Sequence, residues 1–218
     1  MVTNSGLIKG QTDSAIVVLG AASGFTVTIN NEAHGTIEGG GDTAAAIQTG
    51  ADNDTVNNAG EVIADASGKA IDLGDGNDTV NIAGGTIEGD ISGGSGTNIC
   101  TIALGKKHFN YTGSISDFDS IEIQSGVVTF FGASTYTGTT TVSGGTLIVA
   151  NTTGSATGSG PVNVTGGTLG GTGSNRRRRQ HRRRQRILFA RSGIARATGG
   201  DTHHRKHPYI SDRRDLSL

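Results

Sequence analysis

The chain has 218 residues, 37 of them glycine and none tryptophan, and its formal net charge of −1 hides two opposites. Residues 1–175 carry four lysines, no arginine and 16 Asp and Glu, a charge of −12, whereas residues 176–218 carry 14 Lys and Arg against three Asp, a charge of +11. One cysteine excludes an internal disulfide framework, and no run approaches the roughly 20 apolar residues of a membrane helix.

The opening "MVTNSGLIKG" has neither a basic n-region nor an apolar h-region, so it does not read as a signal peptide. From there to residue 175, Val, Ile and Thr recur at even spacing between Gly and Asn, the pattern of short strands and tight turns. No window keeps a 3.6-residue period, so the body reads as all-β. Within it, "AIQTGADNDTVNNAGEVIAD" (46–65) and "AIDLGDGNDTVNIAGGTIEG" (70–89) coincide at an offset of 24, and "GTIEG" occurs at 35–39 and again at 85–89. A unit of this size is too short to bury its own apolar face, and stacking buries a continuous core. The expectation is a right-handed parallel β-helix, with coils of about 24 residues over 1–108 and further coils over 109–175. Ile37, Ile63 and Ile87 should form one inward column in line with Ile8, and Ala-Ile 46–47 and 70–71 another. Coils about 4.8 Å apart would make seven or eight of them a rod of roughly 35 Å.

"LGDGNDTVN" (73–81) approaches the calcium nonapeptide GGxGxDxUx, with Asp75 and Asp78 as candidate ligands. The tandem nine-residue period that such calcium sites need is missing, and ordinary Gly/Asx turns account for the motif. In "TNICTIALG", Cys100, Ile102 and Leu104 fall on one strand face, which makes Cys100 a buried small hydrophobe. "LGKKHF" reads as a solvated coil edge, and His34 and His108 as surface polar residues distant from any G-x-S-x-G-like nucleophile motif. The body holds only Lys9, Lys69, Lys106 and Lys107 as cations, too few for a polysaccharide-lyase centre. No residue is assigned to catalysis, to a cofactor or to a metal. Six of the body's seven aromatics lie between Phe109 and Tyr136, where alternation in "SIEIQ" and "VVTFF" favours a local core.

From Tyr136 onward the period becomes 22, with "VSGGTLIVAN" (142–151) returning as "VTGGTLGGTG" (164–173). The stretch 135–174 closely resembles the autotransporter-associated β-strand repeat. Tyr136, Gly138, Thr140, Val142, Gly145, Leu147, Gly158, Gly160, Val162, Val164, Gly167, Leu169, Gly171 and Gly173 fit its pattern in order. The resemblance implies a fragment of a bacterial autotransporter passenger, a structural or adhesive surface β-helix without catalytic activity of its own. It implies a parent displayed at the cell surface, a translocator barrel in the outer membrane, and a host or surface ligand of unknown kind. It implies neither a nucleic-acid partner nor membrane insertion by this piece. The alternatives are a calcium-binding secreted repeat protein, or the stalk of a secreted enzyme whose catalytic domain lies elsewhere.

The run "RRRRQHRRRQR" (176–186) departs abruptly from this vocabulary. If its arginines use CGN codons, reading one nucleotide later turns each CGN followed by C into Gly, Ala, Val or Asp. Gln before Arg becomes Asn or Ser by the same shift. The family's usual continuation results, so the tail reads as the right gene in a shifted frame. A genuine basic arm gripping phosphates is the competing reading. Residues 176–218 are expected to be disordered, because inward arginines would be desolvated without partners. Without a signal peptide, and ending in "RRDLSL" rather than barrel strands, the chain alone is expected not to reach the cell surface.

Overall fold

A parallel strand exposes an unpaired backbone edge, and a chain that coils on itself covers each edge with its own next turn. That is the arrangement in the computed structural model, which describes residues 1–18 and 24–174 as an all-β parallel solenoid without helix. The basic tail lies outside the described residues. The first four coils have three strands each: β1 (Val2–Asn4), β2 (Leu7–Lys9) and β3 (Ile16–Val17); β4 (Thr28–Asn31), β5 (Thr36–Gly39) and β6 (Ile47–Gln48); β7 (Thr55–Asn58), β8 (Glu61–Ala64) and β9 (Lys69–Asp72); β10 (Thr79–Ile82), β11 (Thr86–Glu88) and β12 (Asp90–Ser92). Then follow β13 (Ile99–Tyr111), β14 (Ile115–Ser116), β15 (Ser120–Phe130), β16 (Thr139–Val142), β17 (Thr146–Val149), β18 (Val162–Val164) and β19 (Thr168–Gly171). The first sheet stacks β1, β4, β7, β10, β13, β15, β16 and β18; the second stacks β2, β5, β8 and β11; the third stacks β3, β6, β9, β12 and β14.

Register pairing turns sequence columns into core columns. Ile16, Ile47, Ile71, Ile91 and Ile115 lie one above another in the third sheet, and the last four are buried. Each such side chain contributes about 1.5–3 kcal/mol by leaving water, in strands only two to four residues long. In the first sheet Ile29, Val56, Val80, Cys100 and Ile121 form a second column. As the sequence suggests, Cys100, Ile102 and Leu104 are all buried together.

The second sheet corrects one expected column. Ile37 and Ile87 both pair with Val62, while Ile63 pairs with Glu38 and Glu88 and is only half-buried. The cause is the turn before the strand. Ala59-Gly60 connects β7 to β8, but Ala83-Gly84-Gly85 connects β10 to β11, so the offset grows from 24 at Thr55/Thr79 to 25 at Glu61/Thr86. One extra residue in a turn exchanges the inner and outer faces of the strand that follows.

Coil length is also less regular than the repeat implies. The first-sheet offset is 27 for Val2/Ile29 and Thr28/Thr55, then 24, 20, 21 and 19, and 22 for Thr140/Val162. Turns absorb these differences while the inward positions stay aligned. The sharpest change is at β13 and β15, where one strand bends through the corner that separates the first two sheets in earlier coils. Register shifts after Ile102 and Ala103 mark the bend, which falls in "LGKKHF". That segment is solvated, with Lys106, Lys107 and His108 exposed, but it lies inside a long strand rather than at a coil edge. Gly105 (φ 66°) and Gly126 (φ 84°) provide the left-handed backbone that the bend requires. Beyond it Phe109, Val128, Leu147 and Leu169 continue the second face.

Candidate functional site

Three groups of polar side chains are built into the stack. The first is an inner asparagine ladder. Asn4, Asn31 and Asn58 end β1, β4 and β7 and point inward, nearly fully buried. Asn4 Nδ2 donates to Asn31 Oδ1 at 2.9 Å, and Asn31 Nδ2 donates to Asn58 Oδ1 at 2.8 Å. The remaining N–H capacity caps turn carbonyls, with Asn31 donating to Glu61 O and Asn58 to Gly60 O. In the next coil the same position is Ile82, followed by Ile102 and Ile123, so the column changes from amide to hydrocarbon at β10.

The second group is an outer ladder on the adjacent strand positions. Asn57 Nδ2 donates to Asn30 Oδ1, and Asn81 Nδ2 donates to Asn57 Oδ1, both at 2.8 Å. A groove of about 260 Å³ lies along it, lined by Asn30, Asn57, Asn81, Glu32, Ala59 and Ala83 among others. The ladder amides bond one another, which leaves the groove floor largely methyl and methylene.

The third group is the corner preceding the first sheet, where the calcium-like motif sits. Asp54 Oδ1 accepts the N–H of Val27, Asp78 Oδ1 that of Asp54, Asn98 Oδ1 that of Asp78, and Asp119 Oδ2 that of Asn98, all within 2.7–2.9 Å. One position outward, Asn53 accepts the N–H of Asn77, and Asn77 that of Thr97. The two candidate calcium ligands therefore have different surroundings. Asp75 is exposed and its carboxylate accepts the Ser95 hydroxyl, whereas Asp78 is fully buried against the coil before it. Among the described residues, no three His, Cys, Asp or Glu side chains converge as a metal-ligand set. "GNDTV" is thus a stacking device: a short Asx side chain reaches the backbone of the neighbouring coil where the turn leaves N–H groups unpaired.

Electrostatics follow from these contacts. The N–H groups of Phe25 and Gly24 hold the Asp52 carboxyl below the usual range, and the Ser143 hydroxyl, then Gln124, do the same for Glu122. Burial, helped by Asp54 and Asp75 and opposed by the Asp54 N–H, raises Asp78 to about 6. Burial alone pushes the Cys100 thiol up to about 12. His34 and His108 are both exposed.

In the region resembling the autotransporter repeat, Tyr136 is buried and its hydroxyl lies 2.6 Å from Thr140 Oγ1. Val142 and Leu147 are fully buried and pair with Val164 and Leu169 of the next coil. Gly145 (φ 65°) and Gly158 (φ 59°) adopt left-handed backbone. The aromatics upstream form a cluster. The Phe109 and Tyr111 rings stack at 5.8 Å, Phe130 meets Tyr111 edge-on at 6.3 Å, and the Tyr111 hydroxyl reaches Gly89 O at 2.8 Å. Phe131 alone of this group is substantially exposed.

Compared with family models, with curated proteins and with solved structures, the chain matches none. The likeness of 135–174 to the autotransporter-associated repeat therefore rests on its own residues. Sequence reasoning missed the inner ladder. Its signal was an Asn recurring every 27 residues, at 4, 31 and 58, each shortly before a turn glycine.

Proposed function

We propose that this chain is a piece of a bacterial autotransporter passenger, a structural and adhesive rod for display at the cell surface rather than a catalyst. The observation that carries this reading is the repeat itself. Its Tyr136, Thr140, Val142 and Leu147 supply buried contacts between coils, and its left-handed Gly145 and Gly158 supply turns. A parallel solenoid also suits export through a narrow barrel, because each coil needs only the coil before it as a template. Among the described residues no helix is long and apolar enough to cross a membrane.

The test places residues 1–174 between a signal peptide and an autotransporter barrel in a Gram-negative host. Intact cells are then probed with antibody and protease. Surface exposure of a protease-resistant β-rich rod, with binding of the cells to host matrix or to one another, is the expected result. Retention of the segment in the periplasm, or surface display without any adhesive gain, would sink the proposal. Sequencing the gene around codons 170–220 checks the tail separately, and a frame encoding further Gly/Ala/Val/Asn-rich repeat is expected alongside the arginine codons.

A further inference from the structure

Asp78 has an environment that its position in the stack does not require. Its Oδ1 accepts the N–H of Asp54 at 2.7 Å, as the stacked Asx residues of neighbouring coils do. Its Oδ2 is equally shut off from solvent and has no hydrogen-bond partner. A carboxylate oxygen that has lost water and gained nothing strongly disfavours the ionised form. The surroundings add to this. The coil before contributes Asp54, the same turn contributes Asp75, and the coil after meets it with the neutral Asn98. No cation offsets these charges, since the ion pair among the described residues is Lys9–Glu38, on a different sheet. Nor does a set of metal-ligating side chains converge here.

Asn98 shows what the position needs for stacking alone. An amide there accepts the N–H of the preceding coil as well as a carboxylate does, and its Nδ2 finds Asp117 O at 3.0 Å. A carboxyl at Asp78 therefore brings something that stacking does not use, which is the ability to take up and release a proton.

We propose that Asp78 is a proton-binding site built into the corner stack, closing the junction between the coils of β7 and β10 in mildly acidic surroundings and loosening it on ionisation. A protonated Oδ2 carries no charge and can stay buried. An ionised one must draw in water, which it reaches only if the turns at Asp52–Asp54 and Asp75–Asp78 separate. Burial first, then the like charges of Asp54 and Asp75, set the midpoint near 6, against about 4 in the unfolded chain. The folded chain thus holds this proton when the unfolded chain has released it. Stability falls as pH rises from about 4 to about 6, and the loss is complete above that. This inference is independent of the passenger reading, since it concerns the stack and not where the rod is displayed.

The experiment uses the full 218-residue chain. Carboxyl carbon shifts of labelled aspartates are followed from pH 3 to 8, with thermal midpoints measured in parallel for wild type, D78N and D54N. One aspartate should titrate near pH 6 and be missing from D78N. The wild-type thermal midpoint should drop relative to D78N between pH 4 and 6, leaving D78N the more stable protein at pH 7.5. D54N keeps an acceptor for the Val27 N–H and should move the Asp78 midpoint downward. Aspartates that all titrate between about 3 and 4.5, or a wild-type–D78N difference that does not vary with pH, would overturn the proposal. An unmoved midpoint in D54N would overturn the part given to like charge. Stabilisation by calcium chloride beyond sodium chloride of equal ionic strength, lost in D78N, would assign the corner to a divalent cation instead.

Discussion

At Asn31 a single, nearly fully buried side chain both accepts from Asn4 and donates to Asn58. Truncating it in Asn31→Ala leaves a buried donor above and a buried acceptor below. The expected cost is about 2–4 kcal/mol, several times that of an exposed Asn→Ala change, and chemical denaturation measures it. Glycine positions divide in the same way. Gly85 and Gly68 have nearly equal backbone, φ 72° and 70°. A Cβ at Gly85 would land on the carbonyl oxygen of Gly60 in the coil below, whereas one at Gly68 meets nothing. Gly68→Ala should cost only about 1 kcal/mol, the left-handed penalty. Gly85→Ala should cost clearly more, because the stacked turns must separate. Equal losses in the two variants would show that conformation, not coil spacing, selects glycine at these turns.

At the scale of strands, the columns that were legible in sequence are those whose turns have equal length. Ala46-Ile47 and Ala70-Ile71 align as their repetition suggests. Ile63 does not, because Gly84-Gly85 replaces a single Gly60 and letter-for-letter matching cannot tell a turn insertion from a strand shift. The bend in β13 was illegible for a related reason: four consecutive exposed residues in "LGKKHF" look the same in a loop as on the outside of a bulged strand. The calcium-like motif was legible as turns, but its role between coils depends on neighbours 20–24 residues away that no local pattern names. In β13, Cys100 offers a check on burial. Its thiol ionises only near pH 12 when folded, against about 8.5 when unfolded, so its contribution to stability is lost as pH rises through that window. Alkylation at pH 8.5 should be undetectable until the protein unfolds, with a rate that follows denaturant concentration. Rapid alkylation of the native chain would mean that the first sheet opens locally around β13.

Across the whole molecule, each coil touches only its neighbours, so stability is a sum of coil and interface terms. The strands β10, β13 and β15 have a coil on both sides, whereas β1 to β3 and β18 to β19 each have one face without a paired strand among the described residues. Leu7 and Val164 are correspondingly exposed. Hydrogen exchange should be slowest at Val80, Ile102 and Ile123, and progressively faster toward Val2 and Leu169. Uniform protection along the chain would contradict the additive picture and indicate a single cooperative unit. The change from an amide column to a hydrocarbon column at Ile82 also divides the rod thermally. Apolar burial weakens on cooling while hydrogen-bonded amides do not weaken in step. The half built on Ile102, Phe109, Tyr111, Phe130 and Tyr136 therefore carries more of the heat-capacity change, and the half built on Asn4, Asn31 and Asn58 less. Near freezing the aromatic end is therefore expected to loosen before its partner, and hydrogen exchange followed on cooling, faster at Ile102 and Ile123 than at Ile29 and Val56 relative to their rates at room temperature, would show it.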